Sequence, residues 1–157
     1  MARSRAGQKR YTLRAFARAI REAVPENREA MADAVEKAIL FTQQDAKARI
    51  GHYQIGWAPL KQVTVTQKVH LGYAPPDNPL LRTGEGRESI MAQVNRSILR
   101  GAVYTNSKAM AAQESGAHMM VGSTEVTLPP RPFLYPATLE GRELLIEMLE
   151  EILRNPI

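Results

Sequence analysis

The stretch IMAQVNRSILRGAVYT, Ile90–Thr105, decides the fold. Ile90, Ala92 and Val94 fall at every second position, a break follows at Asn95-Arg96, and Leu99 to Thr105 repeats the same extended texture. Alternation with period two is the signature of a half-buried strand, so two such runs around a short break predict a β-hairpin. On either side the texture changes to helical. Upstream, Met31, Val35, Ala38 and Ile39 mark one face of a long helix predicted from about Glu26 to Ile50, ending at Gly51. Before it, Leu13, Phe16, Ala17, Ile20 and Val24 lie on one side of a shorter amphipathic helix and Arg10, Arg14, Arg18 and Arg21 on the other, with Pro25 interrupting the two.

Downstream, Ser107 to Glu114 is Ala-rich and is closed by Gly116, which predicts a short helix; Val121 to Thr127 reads as a further strand whose pairing the sequence does not give. Pro129-Pro130-Arg131-Pro132 excludes helix, because each proline removes a backbone donor and biases its predecessor toward extended conformations. A last helix is expected from Thr138 as N-cap, carrying Leu145, Met148, Leu149 and Ile152 on one stripe and stopping before Pro156. Between Gly56-Trp57-Ala58-Pro59-Leu60 and the proline-rich stretch 72–79, both loops, Val63, Val65 and Val69 fit a short extended piece and Thr64, Thr66 and Gln67 fit a helix; that segment stays open. The order of N-terminal helices, a small antiparallel sheet with a hairpin and a C-terminal helix makes the class α+β, with a flexible basic arm at 1–12 and a single domain at 13–157.

The 157 residues suit one core, and a hydrophobic fraction of 44% with 24% charged residues is ordinary for a globular chain. No apolar run approaches the roughly 20 residues of a membrane span, and the basic N-terminus lacks the apolar stretch of a secretory signal. Without cysteine there is no disulfide, thiolate nucleophile or cysteine-ligated zinc. Charge is uneven: Arg3, Arg5, Lys9, Arg10, Arg14, Arg18 and Arg21 all precede the first acid, which leaves 14 basic against 16 acidic residues in the remainder. Such a segment is either a solvated arm or a contact for DNA or an acidic partner.

Catalytic patterns are missing. His52, His70 and His118 are far apart, with no second ligand at helical metal-site spacing, and His118 reads as a loop or interface side chain. No Gly-x-Ser-x-Gly elbow occurs, and Gly84-Glu85-Gly86 lacks the context of a phosphate loop, so these glycines read as turn residues. Glu85 and Glu88 are explained by ion pairs to Arg82 or Arg87. Trp57 reads as a packing anchor for its loop, with base or sugar stacking as the other option. Phe133-Leu134-Tyr135, delivered by a stiff proline segment, fits a core lid or an interface anchor equally, and Arg131 beside it can offer a bidentate contact. The chain is therefore read as structural, neither an enzyme nor a carrier of metal, cofactor or small-molecule substrate.

Four ordered pieces carry a resemblance: Trp57-Ala58-Pro59-Leu60 with Thr64 or Thr66 and Lys68 following; Leu81-Arg82-Thr83-Gly84 through Ser89-Ile90; Ala112-Gln113-Glu114-Ser115-Gly116; and Pro129-Pro130-Arg131-Pro132-Phe133-Leu134. Together they resemble the phage virion morphogenesis, or tail completion, family of Mu-like phages and related minor tail or neck proteins of long-tailed phages, with Gly86 and Arg87 where a leucine is common and Gln113 where a histidine is usual. The resemblance implies a virion protein of the head–tail joint, made in the bacterial host cytoplasm and forming a homo-oligomeric ring, hexameric as in long tails. It also implies contact with neighbouring tail tube and head–neck proteins. On that reading Trp57, Leu60, Arg131, Pro132, Phe133 and Leu134 serve subunit contact or packing, and Arg3, Arg5, Lys9, Arg10, Arg14, Arg18 and Arg21 give weak, non-specific contact with genomic DNA or an acidic partner. A stand-alone basic nucleic-acid-binding module is the alternative, and a small hydrolase the third reading.

Overall fold

The computed structural model describes residues 12–155. Helix α1 spans Leu13–Arg49 and is followed by α2 (Gln62–His70) and the single turn α3 (Glu85–Glu88). Strands β1 (Ile90–Asn95) and β2 (Arg100–Thr105) form the hairpin, α4 covers Lys108–Ser115, β3 (Ala117–Val121) and β4 (Thr124–Leu128) form a second hairpin, and α5 closes the chain at Leu134–Arg154. Both sheets are two-stranded and antiparallel. The class is α+β, as the order of elements implies.

Helix α1 is the common support of the fold. Toward α5 it presents Ala34, Ala38, Thr42 and Ala46, four apart and all buried, and α5 answers with the buried Ala137 and Gly141. Small side chains on both helices let the backbones approach closely. A Cβ built on Gly141 would stand 1.9 Å from Thr42 Oγ1 and 3.2 Å from the Ala38 carbonyl oxygen. One position on, or about 100° around the helix, Ile39 and Gln43 meet the β1–β2 hairpin. A Cβ on Gly101 of β2 would lie 2.3 Å from Ile39 Cγ1, and Gln43 Nε2 donates to the Ile90 carbonyl at 2.8 Å. The hairpin turn is tied to the same helix by Arg96, which bonds Glu29, Asp33 and Glu36 along one side of α1, and by Arg28, which donates to the Ser97 carbonyl. Three carboxylate hydrogen bonds raise the pKa of Arg96 further above its ordinary value. The cluster is exposed, so it fixes register more than it adds stability.

The interruption expected at Pro25 is present as a kink: the helical segments on either side meet at Asn27, whose φ of −110° and ψ of 23° are not helical. Proline at 25 has no N–H to donate and crowds the preceding turn, and Asn27 bridges the disturbed ladder by donating from Nδ2 to the Ala23 carbonyl at 3.2 Å. The open segment 62–70 is helix α2. The strand expected over 121–127 contains a turn: Gly122 takes φ +63° and Val121 pairs with Thr124, so the stretch is the tip of the β3–β4 hairpin. Helix α5 starts at Leu134, four residues before the expected cap Thr138, whose hydroxyl donates to the Leu134 carbonyl inside the first turn.

The tight seam generates a prediction. Gly141→Ala gains helix propensity of about 1 kcal/mol but must displace the Thr42 hydroxyl, so a net loss of about 1–3 kcal/mol is expected. Urea unfolding of Gly141→Ala, Thr42→Ala and the double variant checks it: the loss should shrink when Thr42 is also truncated.

Candidate functional site

The four segments that carry the resemblance close on one another. Phe133 is fully buried in a cluster with Ala46, Ile50, Trp57, Ile90, Met110 and Ala137, against which Leu80, Leu81, Val103 and Leu134 pack. Trp57 is therefore a packing anchor, and of the two roles open to Phe133 the structure gives the core lid. Leu60, Pro132 and Leu134 are half-buried around it. Arg131, only 5% exposed, donates from Nη2 to the Ala58 carbonyl at 3.0 Å and from Nη1 to Gln113 Oε1 at 3.4 Å, while its backbone N–H bonds the Gln113 carbonyl at 2.6 Å. Its fork thus holds the loop at 57–60 and α4 together within the chain.

Glu114 determines where α5 begins. Its Oε2 accepts from the backbone N–H groups of Phe133 at 2.7 Å and Leu134 at 2.9 Å, and Oε1 from that of Tyr135 at 2.9 Å. The first N–H groups of a helix have no intrahelical acceptor, and a carboxylate there also meets the positive end of the helix dipole. No local side chain is needed, which is why Thr138 is not the cap. On the neighbouring turn, the space above Gly86 is taken by Met110 of α4, whose Sδ lies 2.7 Å from where a Cβ would stand. Glu88 faces Lys47 at 3.6 Å, Arg87 donates to the Ile50 carbonyl at 2.6 Å, and Arg82 lies 5.1 Å over the Tyr73 ring. Among the described residues the ion pairs expected between these arginines and Glu85 or Glu88 do not form: Arg87 is engaged by the carbonyl that ends α1, and Arg82 lies over Tyr73 after α2.

Beside this cluster a groove of about 760 Å³ runs between α2, the 78–85 loop and α4. Lys68 lines it, 5% exposed, with Nζ donating to the Asn78 carbonyl at 2.7 Å. Burial lowers its pKa; Asp77 opposes and the positive charge of Arg82 adds to the lowering. Leu80 on the same wall adopts φ +60°, a left-handed conformation uncommon for a bulky side chain. Arg49, at the end of α1, shows the opposite case: burial disfavours its charge, yet hydrogen bonds to Asp45 and Glu140 leave the pKa raised. Both Glu114 and Lys68 belong to the segments that carry the resemblance, but nothing local in the sequence marks the capping role of the one or the burial of the other.

Among the described residues no group of three or more His, Asp or Glu side chains is placed to hold a metal ion, and no helix is long and apolar enough to cross a membrane. His118 lies on β3, not in a loop, and shares a 3.1 Å hydrogen bond with Thr127. Arg14, Arg18 and Arg21 are exposed on α1, Arg18 in a 3.8 Å contact with Glu22. Arg3, Arg5, Lys9 and Arg10, with most of the expected arm, lie outside the described residues. No protein-family model, curated protein or solved structure matches the chain.

The capping contact is testable. Glu114→Ala leaves three helix amides without their acceptor and is expected to cost about 1–3 kcal/mol. Thermal unfolding should place Glu114→Gln between the two, because an amide oxygen still accepts but carries no charge.

Proposed function

We propose that the chain is a structural subunit of the phage head–tail joint, a tail completion, terminator or neck-ring protein that assembles into a closed homo-oligomer, hexameric in a long tail, and supports tail maturation and head–tail joining. The observation that carries the reading is the β3–β4 hairpin. Among the described residues its strands pair only with each other, and Met119, Met120 and Val121 are 40%, 64% and 59% exposed, Met119 and Val121 on one face of the ribbon and Met120 on the other. An isolated two-stranded ribbon is marginal in water, and neighbouring apolar side chains left in solvent mark a contact surface. Methionine adapts well to such a surface.

A closed ring needs two different patches on each subunit. The hairpin supplies one candidate; the N-terminal part of α1, with Leu13 86% exposed beside Arg14, Arg18 and Arg21, supplies another. The convergence of all four motif segments on one core supports the resemblance itself, since residues spread from Trp57 to Leu134 act as one packing unit. In this reading the basic segment meets genomic DNA or an acidic neighbour weakly, and the protein resides in the virion.

Electron microscopy of assembled particles checks the proposal, with a ring at the joint expected and a two-fold dimer overturning it. Met120→Asp combined with Val121→Asp should leave monomer stability within about 0.5 kcal/mol and prevent incorporation into particles. A lone monomer that binds duplex DNA, with log affinity falling by about 0.9 per phosphate contact per tenfold rise in salt, would favour the nucleic-acid-binding module instead.

A further inference from the structure

The groove buries two cations without an ion pair to either, although the negative charge of Asp77 acts on Lys68 from outside the lining. Lys68 and Arg131 both line it and are each 5% exposed, and among the described residues neither joins an ion pair. Lys68 reaches only the Asn78 carbonyl, and Arg131 only the Ala58 carbonyl and Gln113, with its Nε buried and unpartnered. Buried Lys and Arg are ordinarily matched by a carboxylate, because the desolvation of an unmatched charge costs several kcal/mol. Arg82 adds a third positive charge at the rim, and Glu85 is the sole acid among the lining residues. Two N–H donors of Lys68 and one on each terminal nitrogen of Arg131 remain for an incoming acceptor, besides the buried Nε–H of Arg131.

The complementary charge is on α5. Glu143, Glu147 and Glu151 recur every fourth residue, all three exposed and, among the described residues, with no side-chain ion pair or hydrogen bond. They form an acidic row about 12 Å long. Like charges four apart on a helix repel, so the row costs stability until something meets it. It cannot meet its own groove: Arg131 lies three residues before the start of α5, and a rise of 1.5 Å per residue carries Glu147 and Glu151 roughly 20–26 Å along the axis from that start.

We propose that the groove is a carboxylate-receiving site whose occupant is the Glu143–Glu147–Glu151 row of a second copy of this chain. Lys68 and Arg131 hold the carboxylates from within, and Arg82 steers them at the rim. The two patches differ, so the contact is heterologous and repeats from copy to copy; it rests on the ring reading and supplies one of its interfaces.

Sedimentation equilibrium of the full chain at low salt tests the contact in wild type, in Glu143→Lys/Glu147→Lys, in Gln67→Glu/Arg82→Glu and in a 1:1 mixture of the two variants. All four substituted positions are exposed, and circular dichroism with thermal unfolding establishes that each variant folds. Wild type is expected to self-associate, each variant to raise the dissociation constant at least about tenfold, equivalent to 1.4 kcal/mol, and the mixture to recover part of the loss. Self-association unchanged by either charge reversal overturns the proposal while leaving a ring built through other surfaces. A wild type that stays monomeric at several hundred micromolar overturns it as well. Charge-dependent association without a closed ring in particles would instead overturn the ring reading and leave the contact standing.

Discussion

The approach of α1 to α5 sets the dimensions of everything else. Because Gly141 and Ala137 lie against Ala38, Thr42 and Ala46, the two backbones come close enough for the Ala38 carbonyl to sit 3.2 Å from where a Cβ on Gly141 would be. That closeness fixes where Phe133 enters the core, and Phe133 in turn sets the position of Arg131 and of the loop at Trp57. A bulkier seam would separate the helices and pull the N-terminus of α5 away from the carboxylate of Glu114. Small residues at one contact thus govern packing ten or more residues away, because close-packed interiors transmit displacement and do not absorb it.

Where local chemistry governs, the sequence is readable. The alternation in 90–105, the break at Asn95-Arg96, the helix expected over Ser107–Glu114 and its stop at Gly116 all follow from side-chain period and turn residues, and all stand in the structure, the helix at Lys108–Ser115. The exceptions have nonlocal causes. Residues 62–70 satisfy two periodicities, and the buried ammonium of Lys68 held by Asn78 is one of the contacts that fix the helical choice. The start of α5 is fixed by a side chain twenty positions upstream, at Glu114. Gly122-Ser123 reads as strand if counted by period, but its glycine supplies the positive φ a two-residue hairpin turn requires.

The candidate site shows the same division. Trp57, Arg131 and Phe133 stand out in sequence because aromatic and arginine residues beside prolines are conspicuous, and each is buried where the motif segments meet. The groove is not legible, since its charge arises from Lys68 in a polar segment, Arg131 after a proline pair and Arg82 in a loop, which only folding brings to one wall. The acidic row on α5 has a plain four-residue spacing, yet its meaning depends on lacking partners, and that is a property of the folded surface.

The cap on α5 also has a mechanical consequence. Glu114 belongs to the helix that forms one side of the groove, and its two oxygens hold three amides of the long C-terminal helix. Shifting that side outward by a single hydrogen-bond length would strip all three amides together, so the α4 side of the groove cannot move independently of the main body. That side is preorganised: under the proposed contact between copies it has little conformational entropy left to lose, and affinity there depends on the match of charge and shape instead of on its closure.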